Sequence, residues 1–166
     1  FLSGSPFFRT AANHLSFDEM IAFYHKAYSI SPAMVVKMAG KGAQYVAAFH
    51  DSDGDYFSGA RSYTLHIPAN APAQNFWSIV LYDTETRALL DNGQPFPAFA
   101  SNSGKMKLNA DGSADFFFGP TAPKDAKFNW ITTVPGKGYF PGIRFYAPTQ
   151  AFFDKTWKPG DVEKVK

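Results

Sequence analysis

The sequence predicts a mainly β domain, an antiparallel sandwich or barrel with a helical lead-in, and three observations carry this. From Gln44 onward, apolar runs of strand length alternate with clusters of Gly, Pro, Asn and Asp. Helical spacing is confined to the residues before that point. Twelve prolines and thirteen glycines, gathered mostly between the later runs, argue against long strand-to-helix repeats and hence against a parallel α/β sheet.

The first element is a helix, because Phe17, Met20, Ile21, Tyr24 and Tyr28 fall at three- and four-residue steps on one face, with Ser16 and Glu19 as a capping box. A second short helix fits "SPAMVVKMAG", with Ser31 as cap, Pro32 at the first helical position and Gly40 just beyond the end. The strand candidates are "QYVAAFH", "SYTLHIP", "FWSIVLYD", "KMKLN", "ADFFF" and "GIRFYA". These divide the chain into a helical lead-in over 1–42 and one β-sandwich domain over 43–166. No internal repeat or low-complexity tract interrupts them.

With 166 residues the chain has the length of one domain with its own core. Eighteen Phe, eight Tyr and three Trp suit strands and packed interfaces. A formal charge of +2, with Lys and Arg scattered, provides no basic stripe for nucleic acid. The longest apolar runs fall well short of the roughly 20 residues of a membrane-spanning helix. Zero cysteines exclude disulfides and thiolate metal sites, and suit cytosol and periplasm equally. A chain opening "FLSGSPFF", without Met, is expected to be a processed product or a piece of a longer protein.

Asp51, Asp53 and Asp55 in "DSDGDYFSGARS" take the alternate positions of an EF-hand loop, but that loop needs Gly and Glu where this chain has Tyr56 and Ser62. Asp53-Gly54 reads instead as a hairpin turn, and Asp111-Gly112 repeats the device. "PGKGYF" lacks the glycine spacing and the Ser or Thr of a phosphate loop, so Lys137 sits in a tight connection whose glycines serve the backbone. His14, His25, His50 and His66 show no metal-ligand spacing, and no nucleophile elbow or cofactor motif is present. The sequence therefore assigns no metal, no cofactor and no catalytic residue.

Strand alternation supplies one set of candidate ligand-binding residues. Thr64 and His66 lie opposite Tyr63, Leu65 and Ile67; Ser78 and Tyr82 lie opposite Trp77, Ile79 and Leu81; Arg144 and Tyr146 lie opposite Ile143 and Phe145. On one shared sheet face, His66, Tyr82, Arg144 and Tyr146 would converge on a pocket for an anionic or hydroxylated ligand. The competing expectation is an ordinary solvated sheet face. Arg144, in an aromatic strand, is expected to pair with Asp83 or Asp115. Trp130 is expected to be buried with its ring nitrogen bonded. Phe152, Phe153 and Trp157 in "QAFFDKTW" are expected to form a self-association or docking surface.

Trp77, Tyr82-Asp83, Asp111-Gly112, Asn129-Trp130, Pro135-Gly136-Lys137-Gly138, Arg144-Tyr146-Pro148 and Trp157-Pro159-Gly160 together carry a resemblance over roughly Gly59 to Glu163. By these marks the chain resembles the bacterial family catalogued as domain of unknown function 1214. The resemblance implies a jelly-roll-like β-sandwich, normally preceded by a second sandwich of the family numbered 1254, in proteins exported to the periplasm or beyond. It supplies no catalytic residues. Two functional classes follow: a binding or structural module of an exported or cell-envelope protein, partnered by the missing sandwich or a second copy of itself, and an enzyme or ligand-binding domain for a small polar or sugar-like molecule.

Overall fold

The computed structural model describes residues 2–3, 21, 37–125 and 127–165. The two expected N-terminal helices fall almost wholly outside these residues. Among the described residues nine strands follow in chain order: β1 (Leu2–Ser3), β2 (Ala43–Ala47), β3 (Tyr63–Ile67), β4 (Ala73–Asp83), β5 (Ala98–Ala100), β6 (Ala114–Gly119), β7 (Asn129–Thr132), β8 (Tyr139–Pro148) and β9 (Val162–Lys164). A short helix, α1 (Gln150–Phe153), follows β8. The strands form a five-stranded sheet ordered β1-β2-β8-β4-β5 and a four-stranded sheet ordered β7-β6-β3-β9. All pairs are antiparallel except β6 and β7, which run parallel.

The alternation in the sequence is what builds the core. Tyr63, Leu65 and Ile67 of β3 and Phe116 and Phe118 of β6 meet Ile79 and Leu81 of β4 and Ile143 and Phe145 of β8 in one buried cluster between the sheets. Trp77 meets Phe116 edge-on at 6.1 Å, and Phe118 meets Tyr139 at 6.4 Å, so aromatic edges lock the two layers together. The arrangement is a β-sandwich of two layers, mainly antiparallel.

Two strand expectations change. "KMKLN" forms no strand, because its backbone is held by a side chain: Asn129, 1% exposed, accepts from Lys107 N–H at 2.7 Å and donates to the Lys107 carbonyl at 2.9 Å. In contrast, β8 runs through Pro141 and Gly142. Pro141 turns its carbonyl to Ala48 N–H at 3.1 Å, on the side where the β2 ladder has already ended at Gly142, so its missing N–H breaks no ladder bond.

The turns behave as the sequence predicts. Asp51 N–H donates to the Asp55 carbonyl at 2.9 Å, closing the hairpin around Asp53-Gly54. In the Gly-Lys-Gly loop, Gly136 has φ +86°, a conformation that favours glycine. Lys137 lies 3.7 Å from Asp83 and is exposed.

The aromatic tail packs partly on the domain itself. Phe152 and Trp157 pack onto Phe145 at 5.3 and 5.6 Å, Phe153 packs edge-on against Phe152 at 5.4 Å, and Trp157 Nε1 donates to the Ala69 carbonyl at 3.0 Å. These half-buried rings close one end of the domain's own core, so "QAFFDKTW" spends part of its aromatic surface within the domain. Trp130 is half-buried on the outer face rather than buried, and its Nε1 donates to the Gly119 carbonyl at 2.9 Å. Among the described residues no helix is long and apolar enough to cross a membrane.

Candidate functional site

Because β4 and β8 are neighbours, their outward residues form one face. Ser78 stands opposite Arg144, Phe76 opposite Tyr146, and Tyr82 opposite Phe140. Two stacked pairs flank the arginine: Phe76 on Tyr146 at 4.1 Å and Tyr82 on Phe140 at 5.2 Å. Between Arg144 and Phe140 the outward position belongs to Gly142. A Cβ there would meet the Tyr82 ring at 3.0 Å, so the glycine leaves the space over which Tyr82 leans to reach Arg144.

The Tyr82 hydroxyl accepts from Arg144 Nη2, and Tyr146 provides a second hydrogen bond. The guanidinium also lies over the rings of Tyr82 and Tyr45, at 5.4 and 5.8 Å from their centroids. Its Nε is buried with no hydrogen-bond partner among the described residues. Burial pushes the Tyr82 phenol above its usual value, and Arg144 offsets only part of this, so Tyr82 is neutral at pH 7. For Arg144, burial acts to lower the pKa but is outweighed by the bonds from Tyr146 and Tyr82, which raise it. The arginine is charged, and Tyr82 is not.

The expected carboxylates are elsewhere. Asp83 has the same strand parity as Leu81 and so faces inward, where its Oδ1 accepts from Glu85 and Thr86 N–H groups at 2.8 and 3.1 Å. Those two bonds, Thr86 first, hold its carboxyl below the usual range despite burial. Asp115 belongs to the other sheet, opposite His66, whose Nδ1 lies 2.7 Å from Asp115 Oδ1. Burial would raise the Asp115 pKa, and the bonds from His66 and Asn109 outweigh it and lower it. His66 is therefore separated from Tyr82, Arg144 and Tyr146 by the whole sandwich. Three of the four candidates converge; the fourth forms its own pair on the opposite outer face.

Arg144 lines a pocket of about 680 Å³ together with outward residues of this face. Small outward residues, Ser78 of β4 with Ala98 and Ala100 of β5, leave its floor low. Phe76, Leu89 and Phe96 stand around it, and Lys105 adds a second cation. The sequence pattern missed this part, because Leu89, Phe96 and Lys105 come from connections with no periodicity. Asn92 fixes the first of these, donating to the Thr132 carbonyl at 2.7 Å.

The acidic triplet has a different fate from a metal site. Lys164 of β9 places its Nζ 3.2, 3.0 and 2.6 Å from Asp51, Asp53 and Asp55, occupying the centre with an ammonium. Among the described residues no group of three or more His, Cys, Asp or Glu is arranged to hold a metal ion.

The fold is similar to that of the VPA0106 protein from Vibrio parahaemolyticus, with a TM-score of 0.62 at 22% identity over 75% of this chain and 31% of that one. An uncharacterised protein from Burkholderia cenocepacia is similar with a TM-score of 0.52 at 18% identity, over 75% of this chain and 29% of that one. The chain thus spans less than a third of either protein's length. No curated protein matches it. Residues 42–150, which hold the paired β4 and β8 and the whole Arg144 pocket, match the model described as protein of unknown function (DUF1214), and the chain belongs to that family.

Proposed function

We propose that this domain is a binding module of an exported bacterial protein, periplasmic or secreted, and that its five-stranded sheet takes a small anionic ligand at Arg144. The observation that supports it is a charged, half-buried guanidinium held by phenols rather than carboxylates, lining an open pocket. A charge placed this way favours an incoming carboxylate or phosphate, which Arg can grip with two parallel bonds.

Binding is preferred to catalysis because the described residues lining the pocket include no carboxylate, histidine or cysteine to move a proton or attack a bond. Family resemblance supports export and a second sandwich as partner. The chain's spanning under a third of its structural relatives fits a module that works beside further domains.

A thermal-shift series with acetate, phosphate and neutral sugars tests the reading. The expected result is stabilisation by an anion, by about 2.7 kcal/mol at a hundredfold excess over Kd, lost in Arg144→Met while the variant still melts cooperatively. Stabilisation by sugars alone, or unchanged binding in Arg144→Met, would overturn it.

A further inference from the structure

Resting on that anion-binding reading, we infer that the ligand is an amphiphile, a carboxylate head on an apolar body, with the head at Arg144 and the body along the pocket wall of Leu89, Phe96 and Phe99. Both cations of the pocket, Arg144 and Lys105, are set in a lining that is otherwise mostly apolar. Phe96 is 73% exposed and Leu89 44% exposed, so two large apolar side chains face water at the pocket that a ligand body would cover. The volume of about 680 Å³ falls within the usual range for small-molecule sites. A bare inorganic anion would leave most of that space and both side chains in water.

Edge strand β5 shows how the wall is made. Ala98 and Ala100 point outward and lower the floor, while Phe99, pairing with Ile79, turns toward the core and meets Phe116 at 6.0 Å. Phe99 nevertheless lines the pocket, as does Ile131, so the cavity reaches round the strand edge toward the core. That lining offers an apolar wall in the same pocket as a fixed cation.

The test measures affinities of acetate, butanoate, hexanoate and octanoate, with octanol and octylamine as head-group controls and inorganic phosphate as a bare anion. Affinity should rise about three- to fourfold per methylene, the factor for burying one such group. Octanoate should bind at least tenfold tighter than octanol or octylamine, and Arg144→Met should abolish that preference. Phe96→Ala should flatten the chain-length slope, and Ala98→Leu should block octanoate more than acetate. If acetate and phosphate bind as tightly as octanoate, the amphiphile is refuted and the anion site stands. If octanol binds as tightly as octanoate, or if no acid and no phosphate bind at all, both readings fail.

Discussion

Arg144 and Tyr82 lie on adjacent strands but not opposite one another; the tyrosine reaches the guanidinium by crossing the outward position that Gly142 leaves empty. The contact places a neutral acceptor where a carboxylate was expected. It also makes the charge of Arg144 depend on two phenols for its orientation.

Tyr82→Phe should therefore loosen the arginine without unfolding the domain. Loss of one hydrogen bond to a half-exposed charged group should cost about 1 kcal/mol in urea denaturation. Anion affinity should fall because the fork is less well oriented, and an unchanged affinity would show that Tyr82 does not position it.

Asn129 should matter more than its neighbour Trp130. Its buried amide makes three hydrogen bonds, two to Lys107 and one to the Asp115 carbonyl at 3.0 Å. Asn129→Ala should cost about 3 kcal/mol, since it removes a buried amide together with its three hydrogen bonds. Trp130→Phe, which removes one bond from a half-buried ring, should cost about 1 kcal/mol. Chemical denaturation of the two variants compares them, and a reversed order would contradict the assignment of Asn129 as the anchor.

Tyr139→Phe should leave stability unchanged or raise it by up to about 1 kcal/mol. Among the described residues the buried Tyr139 hydroxyl has no partner, and burial pushes its pKa well above the usual value. Deleting an unsatisfied buried hydroxyl removes its desolvation cost while the ring keeps its contacts with Phe57, Tyr63 and Phe118. A clear loss of stability would mean that the hydroxyl is bonded in solution.

Lys164→Met should lower the melting temperature at neutral pH and converge on wild type in acid. The bond to Lys164 holds the Asp55 carboxyl below its ordinary range, and the acids, Asp55 first, raise the lysine's pKa. A depressed acid pKa stabilises the fold above the unfolded value, about 3.9, and loses that effect as pH falls through the folded value. A raised lysine pKa stabilises below the unfolded value, about 10.4, and loses that effect as pH rises through the folded one. The difference between variant and wild type should be widest from about pH 5 to 9. A difference that does not vary with pH would show that Lys164 acts by packing alone.

What the sequence by itself determined is local. Alternation assigned Tyr63, Leu65, Ile67, Ile79, Leu81, Ile143 and Phe145 to the inner face, because a strand turns successive side chains to opposite sides wherever it sits. Asp53-Gly54 and Asp111-Gly112 marked turns, because the backbone there needs a residue tolerant of positive φ. Strands β1, β5, β7 and β9 went unseen, each being two to four residues long and too short for alternation to register. What only the tertiary structure decided is which outer faces coincide. Pairing β8 with β4, and β3 with β6, put Arg144 beside Tyr82 and sent His66 to Asp115. Strand partners and register depend on core packing between residues distant in sequence, so no local pattern could bring those four side chains together or keep them apart.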